Sequence, residues 1–278
     1  MFNRLAAAAL LCAAATPALA QDEPAKPFTV SGSAGLVSDY RFRGVSQTDE
    51  HMAVQAGITV SHESGFYVGT WGSNLAGWGT FGGSSMELDL FGGYKADLGN
   101  GLALDAGLLW YMYPGGASET DFAEPYVKLS GVLGPVNALV GVAYAPKQQA
   151  LGKWYWNAAT YATGVPNNPG KKNDNLYVWG DYNMPVAETG LTAKAHVGYS
   201  KGNSGLGPNG TSVAPTGQYV DWMLGADYAL GPVVLGVAYV DTSIKRNDRA
   251  YLFPNFASTK DGSAISSAQV VFSITAAF

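Results

Sequence analysis

Three histidines carry most of the covalent chemistry this sequence could offer. His51 falls in a loop, His62 at a turn and His196 on a predicted strand, four residues before Ser200. His196 and Ser200 share one face of that strand, yet four residues of extended chain hold them about 13 Å apart. A general base must stand roughly 3 Å from the nucleophile it activates, so this spacing points away from a hydrolase. Metal chemistry has no better basis, because the histidines are scattered and the single cysteine, Cys12, lies in the N-terminal segment. No catalytic residue, cofactor or metal site is assigned, and a non-enzyme is expected.

The remaining polar chemistry is charge sorted by position. Asp39, Arg41, Arg43, Glu87, Asp89, Asp105, Glu124, Lys128, Asp181, Lys194, Asp221 and Asp227 fall on the polar face of segments whose alternate residues are apolar, and Lys95 shares that face. Arranged around a wet interior, such residues filter solutes by charge. Packed against one another, they plug it instead. These are the candidate pore-lining residues. Acids outnumber bases among them, which points to a weak cation preference.

The elements that must position them are short and period-two. Charged residues make up 13% of the chain and aromatic residues 12%, with 36 glycines, against about 25% charged in ordinary soluble domains. No run after Ala20 approaches the roughly 20 apolar residues of a membrane helix. Low charge without a long apolar run is what lipid-facing strands produce, since half of their residues face hydrocarbon. The net charge of -5 argues against a nucleic-acid partner.

Alternation defines the strands. The first is expected from about Phe28 to Arg43, with Phe28, Val30, Leu36, Tyr40 and Phe42 outward and Asp39, Arg41 and Arg43 inward. Later strands are expected at Met52–Ser61, Phe66–Asn74, from Met86 to the turn at Asp97–Gly101, and at Leu102–Tyr113, Phe122–Leu133, Val136–Tyr144, Leu176–Met184, Leu191–Ser200, Val220–Tyr228, Val233–Asp241 and Gln269–Phe278. Connections alternate short and long along the chain. That rhythm belongs to an up-and-down barrel with tight turns on one rim and loops on the other. An even count of about twelve strands returns both termini to the same, periplasmic, side. The outward tyrosines Tyr94, Tyr182 and Tyr228 at one end, with Tyr144 and Tyr239 at the other, suggest two aromatic girdles.

At the N-terminus, Arg4, the apolar run Leu5–Ala15 and Ala18-Leu19-Ala20 form a secretory signal peptide over residues 1–20. Residues 21–27 read as a short periplasmic tail and 28–278 as a single barrel domain. The closing strand puts Val270, Phe272, Ile274, Ala276 and Phe278 on one parity. An exposed edge of this kind invites aggregation, and pairing with the first strand removes it. An alternating final strand that ends in Phe also resembles the C-terminal signal of bacterial outer-membrane barrels, implying the barrel-assembly machinery as a partner.

Two segments carry a family resemblance: Ser38-Asp39-Tyr40-Arg41-Phe42-Arg43-Gly44-Val45-Ser46-Gln47, and His62 to Asn74 with the core Phe66-Tyr67-Val68-Gly69-Thr70-Trp71. In both, the chain resembles the TorF-type porin family of Gram-negative outer membranes. The resemblance implies an outer-membrane β-barrel and brings no catalytic residues with it. The expected function is a restricted, porin-like channel through which small hydrophilic solutes or ions diffuse passively, with outer-membrane lipid as its surroundings. The competing expectation is a closed structural or surface-binding barrel that uses its long loops, Trp154-Tyr155-Trp156 among them.

Overall fold

The computed structural model describes residues 27–278. The expected signal peptide and nearly all of the expected tail lie outside that range. Twelve antiparallel strands close into a barrel: β1 (Phe28–Val37), β4 (Ala53–His62), β5 (Phe66–Asn74), β6 (Met86–Gly99), β7 (Leu102–Met112), β8 (Phe122–Leu133), β9 (Val136–Gln148), β10 (Asn173–Pro185), β11 (Leu191–Lys201), β12 (Gln218–Leu230), β13 (Val233–Thr242) and β14 (Gln269–Ala277). Two short strands, β2 (Arg41–Phe42) and β3 (Val45–Ser46), form a separate hairpin. Each barrel strand from β4 onward pairs with its sequence neighbour, and β1 joins β4 on one side and β14 on the other.

Pairing across the β1–β14 seam runs from Ser33 opposite Ala277 to Val37 opposite Ser273. Beyond it, Gly32 and Phe278 exchange backbone hydrogen bonds at 2.8 and 2.9 Å. From Gly32 to Val37 the seam is thus paired, and in hydrocarbon each unpaired main-chain group would cost several kcal/mol. On the short-turn rim the sequence dictates tight hairpins. Asn100 and Gly101 both take positive φ (52° and 79°) between paired Gly99 and Leu102, the type I′ pattern that suits strand twist. Gly134-Pro135 and Gly231-Pro232 also join strands in two residues, with positive φ at the glycine alone (62° and 59°) because proline holds φ negative, the type II′ pattern.

Parity sorts the wall. Val54, Leu108, Val127, Val140, Leu224 and Phe272 are all exposed on the outer surface, while Glu87, Asp105, Glu124, His196 and Asp221 on the opposite parity are buried. Outward tyrosines stand at both ends of the apolar band, Tyr94, Tyr182 and Tyr228 toward the short turns and Tyr144, Tyr199 and Tyr239 toward the loops.

Inward aromatic rings lie over glycines of neighbouring strands. A Cβ at Gly198 would overlap the Tyr177 hydroxyl, and one at Gly141 would overlap the Trp179 ring. Because this space is already filled, Gly198→Val is expected to destabilise the barrel by about 1–3 kcal/mol through overpacking. Urea titration of the folded protein in bilayers checks it, and an unchanged midpoint would contradict the packing described.

Candidate functional site

Nine of the twelve sequence-derived lumen residues sit on barrel strands and face inward, in two layers. Nearer the short turns, Lys194 Nζ stands 2.8 Å from Asp227 Oδ1 and Lys128 Nζ stands 3.9 Å from Asp105 Oδ2. Lys95 is directly across the strand pair from Asp105, so the carboxylate lies between two lysines. The Lys128 ammonium also rests 4.0 Å above the Tyr126 ring, and the Tyr67 hydroxyl donates to Asp105 at 2.5 Å while bonding Tyr126.

His196 links this layer to the next. Its Nδ1 is 2.6 Å from Asp181 Oδ1, and its Nε2 is 3.1 Å from Asp221 Oδ1 and 2.9 Å from the Tyr177 hydroxyl. Both ring nitrogens are thus held by acids of adjacent strands, and Ser200 is not among its hydrogen-bond partners among the described residues. The imidazole serves as a clamp between β10, β11 and β12.

Nearer the loops, the first connection folds inward. At Val37 the chain leaves the wall, turns through Ser38–Tyr40 and forms the β2–β3 hairpin, with Arg43 (φ 48°) and Gly44 (φ 78°) at its tip. Arg43 Nη2 reaches the opposite wall and donates to both Glu124 oxygens at 2.8 and 2.7 Å. The guanidinium lies 4.1 Å over the Tyr177 ring and 4.7 Å from the Phe42 ring. Glu124 also accepts from Tyr111 at 3.3 Å. Nearby, Tyr40 donates to Glu87 at 3.0 Å and meets Trp71 edge-on at 5.4 Å. A Cβ at Gly44 would overlap Thr242, so the tip requires glycine for space as well as for its positive φ.

The expected first strand therefore ends six residues early. Asp39, Arg41 and Arg43 do lie on the inner side, but they belong to a loop. Tyr40 and Phe42, expected to face lipid, are turned into the lumen, where Phe42 packs at 5.8 Å against Tyr111. The physical reason is that the lumen at this level is partly apolar and can bury two aromatic rings, whereas on the outer wall they would leave the paired hairpin unformed. Arg41 secures the base of the loop: it bonds Asp39 at 2.6 Å and donates to the carbonyls of Gly44, Ile265 and Ser267 at 3.1, 3.0 and 2.9 Å. Asp39 also accepts from Ser46 at 2.6 Å.

Above the hairpin the long loops pack on one another. Val45, Trp78, Leu206, Leu252, Phe256 and Ile265 form one buried cluster, and Phe81, Tyr111, Tyr113 and Phe122 belong to a second. Tyr155 is buried in the first cluster and Trp154 packs against it, leaving Trp156 exposed. The aromatic triplet is thus largely internal, contrary to its expected display. In all, the site is an ion-paired lumen whose long-loop end is narrowed by the hairpin and roofed by loops.

With that geometry in view, comparison with known proteins is informative at one level. The family described as "Bacterial protein of unknown function (Gcw_chp)" matches residues 21–278. The chain belongs to this family. None of the curated proteins compared with it matches. Among solved structures, it is similar to a KdgM porin in complex with disordered oligogalacturonate, at 8% identity and a TM-score of 0.47 over 90% of this chain and 97% of that one. A porin is similar at 9% identity and 0.42, over 90% and 100%. The translocator domain of the autotransporter NalP from Neisseria meningitidis follows at 11% and 0.42, over 90% and 88%. The fold rests on the strand pairing above, and these likenesses add nothing to it. Gcw_chp membership assigns no function, and the TorF-type resemblance is a finer reading that it does not include.

For this Gcw_chp chain, alternation places Tyr126 and Tyr177 on the inward parity of their strands, whereas the glycine and aromatic mix of Phe66–Asn74 leaves the facing of Tyr67 and Trp71 open. Tyr67 and Trp71 on β5, Tyr126 on β8 and Tyr177 on β10 all touch lumen charges or the hairpin. A readable signal existed: glycines on the same inward parity of the neighbouring strands, Gly93 beside Tyr67 and Gly107 beside Tyr126, leave room for a ring. The length of the expected first strand was a second signal, since a tilted spanning strand needs only about 9–11 residues.

Proposed function

We propose that the chain is a bacterial outer-membrane channel of the porin type, restricted at its outer end, through which small hydrophilic solutes or ions pass by diffusion. One observation carries this reading: a closed barrel that is apolar outside and lined with ion pairs inside. Lipid surrounds the apolar band, and the tyrosines at its two ends sit at the interfaces. A twelve-strand barrel is wider than those that side chains fill and narrower than the sixteen-strand porins, so an internal loop is enough to restrict it. The TorF-type resemblance supports the same assignment. On this reading the termini and short turns face the periplasm, the long loops face outward, and the barrel-assembly machinery engages β14.

The candidate pore-lining residues are the two charged layers, Asp105, Lys128, Asp181, Lys194 and Asp227 below and Asp39, Arg41, Arg43, Glu87, Asp89, Glu124 and Asp221 above. Because most of them pair, the cation preference is expected to be slight. Reconstituted in a planar bilayer, the protein should give discrete conductance steps smaller than those of sixteen-strand porins. A silent membrane in which insertion is verified would overturn the channel reading.

The packed loops favour a second reading, a closed barrel with a surface-binding role. Deleting residues 146–175 separates the two, because a channel keeps or gains conductance while a surface receptor loses its partner.

A further inference from the structure

The loops that roof the barrel surround an open hollow of about 860 Å³ on the side away from the short turns, lined by residues 77, 78, 80, 82, 83, 117, 161, 209–211, 254, 255 and 257–262. That volume lies within the roughly 300–1,000 Å³ range of small-molecule sites. It is distinct from the lumen charges, and the channel reading does not use it.

The chemistry of its walls is specific in what it offers. Charge is balanced, since Lys260 and Asp261 adjoin in sequence and carry opposite signs. Its apolar surface comes from glycine, alanine and proline carbons and from two aromatic residues, and no Val, Leu, Ile, Met or Phe lines it. The Trp78 indole is 7% exposed and packs at 4.8 Å on Phe256, so it belongs to the buried cluster beneath. Among its polar side chains, uncharged hydrogen-bonding groups outnumber the charged ones. Asn255 makes no side-chain hydrogen bond among the described residues, so both its donor and its acceptor are available. Asn209 donates to the Ser118 carbonyl at 3.2 Å and keeps its amide oxygen. Tyr161 supplies an aromatic ring, fixed at 5.0 Å edge-on to Tyr155 and abutting Gly210, where a Cβ would stand 2.6 Å from the ring.

We propose that this hollow binds a short neutral oligosaccharide. An ion would find no net charge to hold it, and an aliphatic ligand would find no large aliphatic side chain to pack against. Sugar hydroxyls both donate and accept, which matches free amides, hydroxyls and glycine backbone, while the C–H face of a pyranose suits a tyrosine ring. The site is firmly built on one side. Thr259, which lines it, donates its backbone N–H to Asp49 of the first loop at 3.0 Å and its hydroxyl to the same carboxylate. This assignment is independent of whether the lumen conducts.

The test uses the full chain, refolded in a detergent without a sugar headgroup, and isothermal titration with maltotriose and cellotriose as neutral probes and trigalacturonate as an acidic one. Ala117→Trp, at an exposed position on the wall, fills the hollow, and Asn255→Ala removes the free amide. Folding of each variant is verified by heat-modifiable gel mobility. Saturable binding of a neutral probe, lost in Ala117→Trp and weakened several-fold in Asn255→Ala, is the expected result. The proposal is overturned by no saturable binding of either neutral probe, by a preference for the acidic one, or by affinity unchanged in Ala117→Trp. Should that variant fail to fold, Asn255→Ala decides, and unchanged affinity there has the same meaning.

Discussion

If the barrel conducts as proposed, replacing Arg43 with alanine is expected to raise conductance several-fold and to weaken the fold. The guanidinium and the Glu124 carboxylate are 5% and 4% exposed, and their two hydrogen bonds join the first loop to the far wall. Stripping the cation away leaves a buried carboxylate without its partner, a change that costs about 3–5 kcal/mol. The least costly response is for the hairpin to swing out, which hydrates Glu124 and widens the lumen where it is narrowest. Arg43→Lys keeps the charge but cannot stack over Tyr177 while forming a planar two-point contact, so its conductance should fall between those of the parent and the alanine variant. Arg43→Ala combined with Glu124→Gln separates the two effects. Without a buried unpaired charge, urea stability partly recovers, while the absent latch keeps conductance high. Conductance equal to the parent's in a folded Arg43→Ala protein would mean the hairpin does not restrict the passage.

A charge on the outer wall should have the next largest effect, and one that depends on depth. Leu224 is 62% exposed in the middle of β12, between Ala195 and Tyr239 on its neighbours. If hydrocarbon covers it, Leu224→Lys costs about 2–4 kcal/mol, whereas a lysine near an interface costs roughly 0–1. Leu191, at the short-turn end of β11 and paired with Tyr228, is the interface control. Urea unfolding from liposomes should therefore separate Leu224→Lys from Leu191→Lys by at least about 1 kcal/mol. On a water-exposed barrel both would stay within about 0.5 kcal/mol of the parent.

How far the sequence could be read follows from the solvent each side chain meets. Strands β5 and β8 have the boundaries that alternation predicted, because an apolar exterior and a polar interior impose a strict period of two on each strand of the wall. Turns such as Asn100-Gly101 were legible because positive φ admits few residues. The first loop was not. Ser38–Arg43 keeps the alternation of a strand, yet the half-apolar lumen rewards burying Tyr40 and Phe42 as much as lipid would. Only contacts far along the chain, such as that of Arg43 with Glu124, 81 positions later, distinguish the two. The His196 clamp was hidden for a related reason. Its partners Asp181 and Asp221 are near only through strand register, which no spacing along one strand reveals. Tyr155 looked like an exposed loop residue until loops distant in sequence enclosed it.

The central claim is that alternate residues face lipid and a polar interior around one closed wall. Its most direct test is a spin-label scan along β12, with single cysteines introduced one at a time at positions 219–228 of the reconstituted protein and the accessibility of each label to oxygen measured. The account predicts maxima at 220, 222, 224, 226 and 228 and minima at the positions between, with the opposite phase for a water-soluble nickel reagent on the outer-wall labels. A profile with no period of two, or oxygen maxima at 221, 223 and 227, would contradict it.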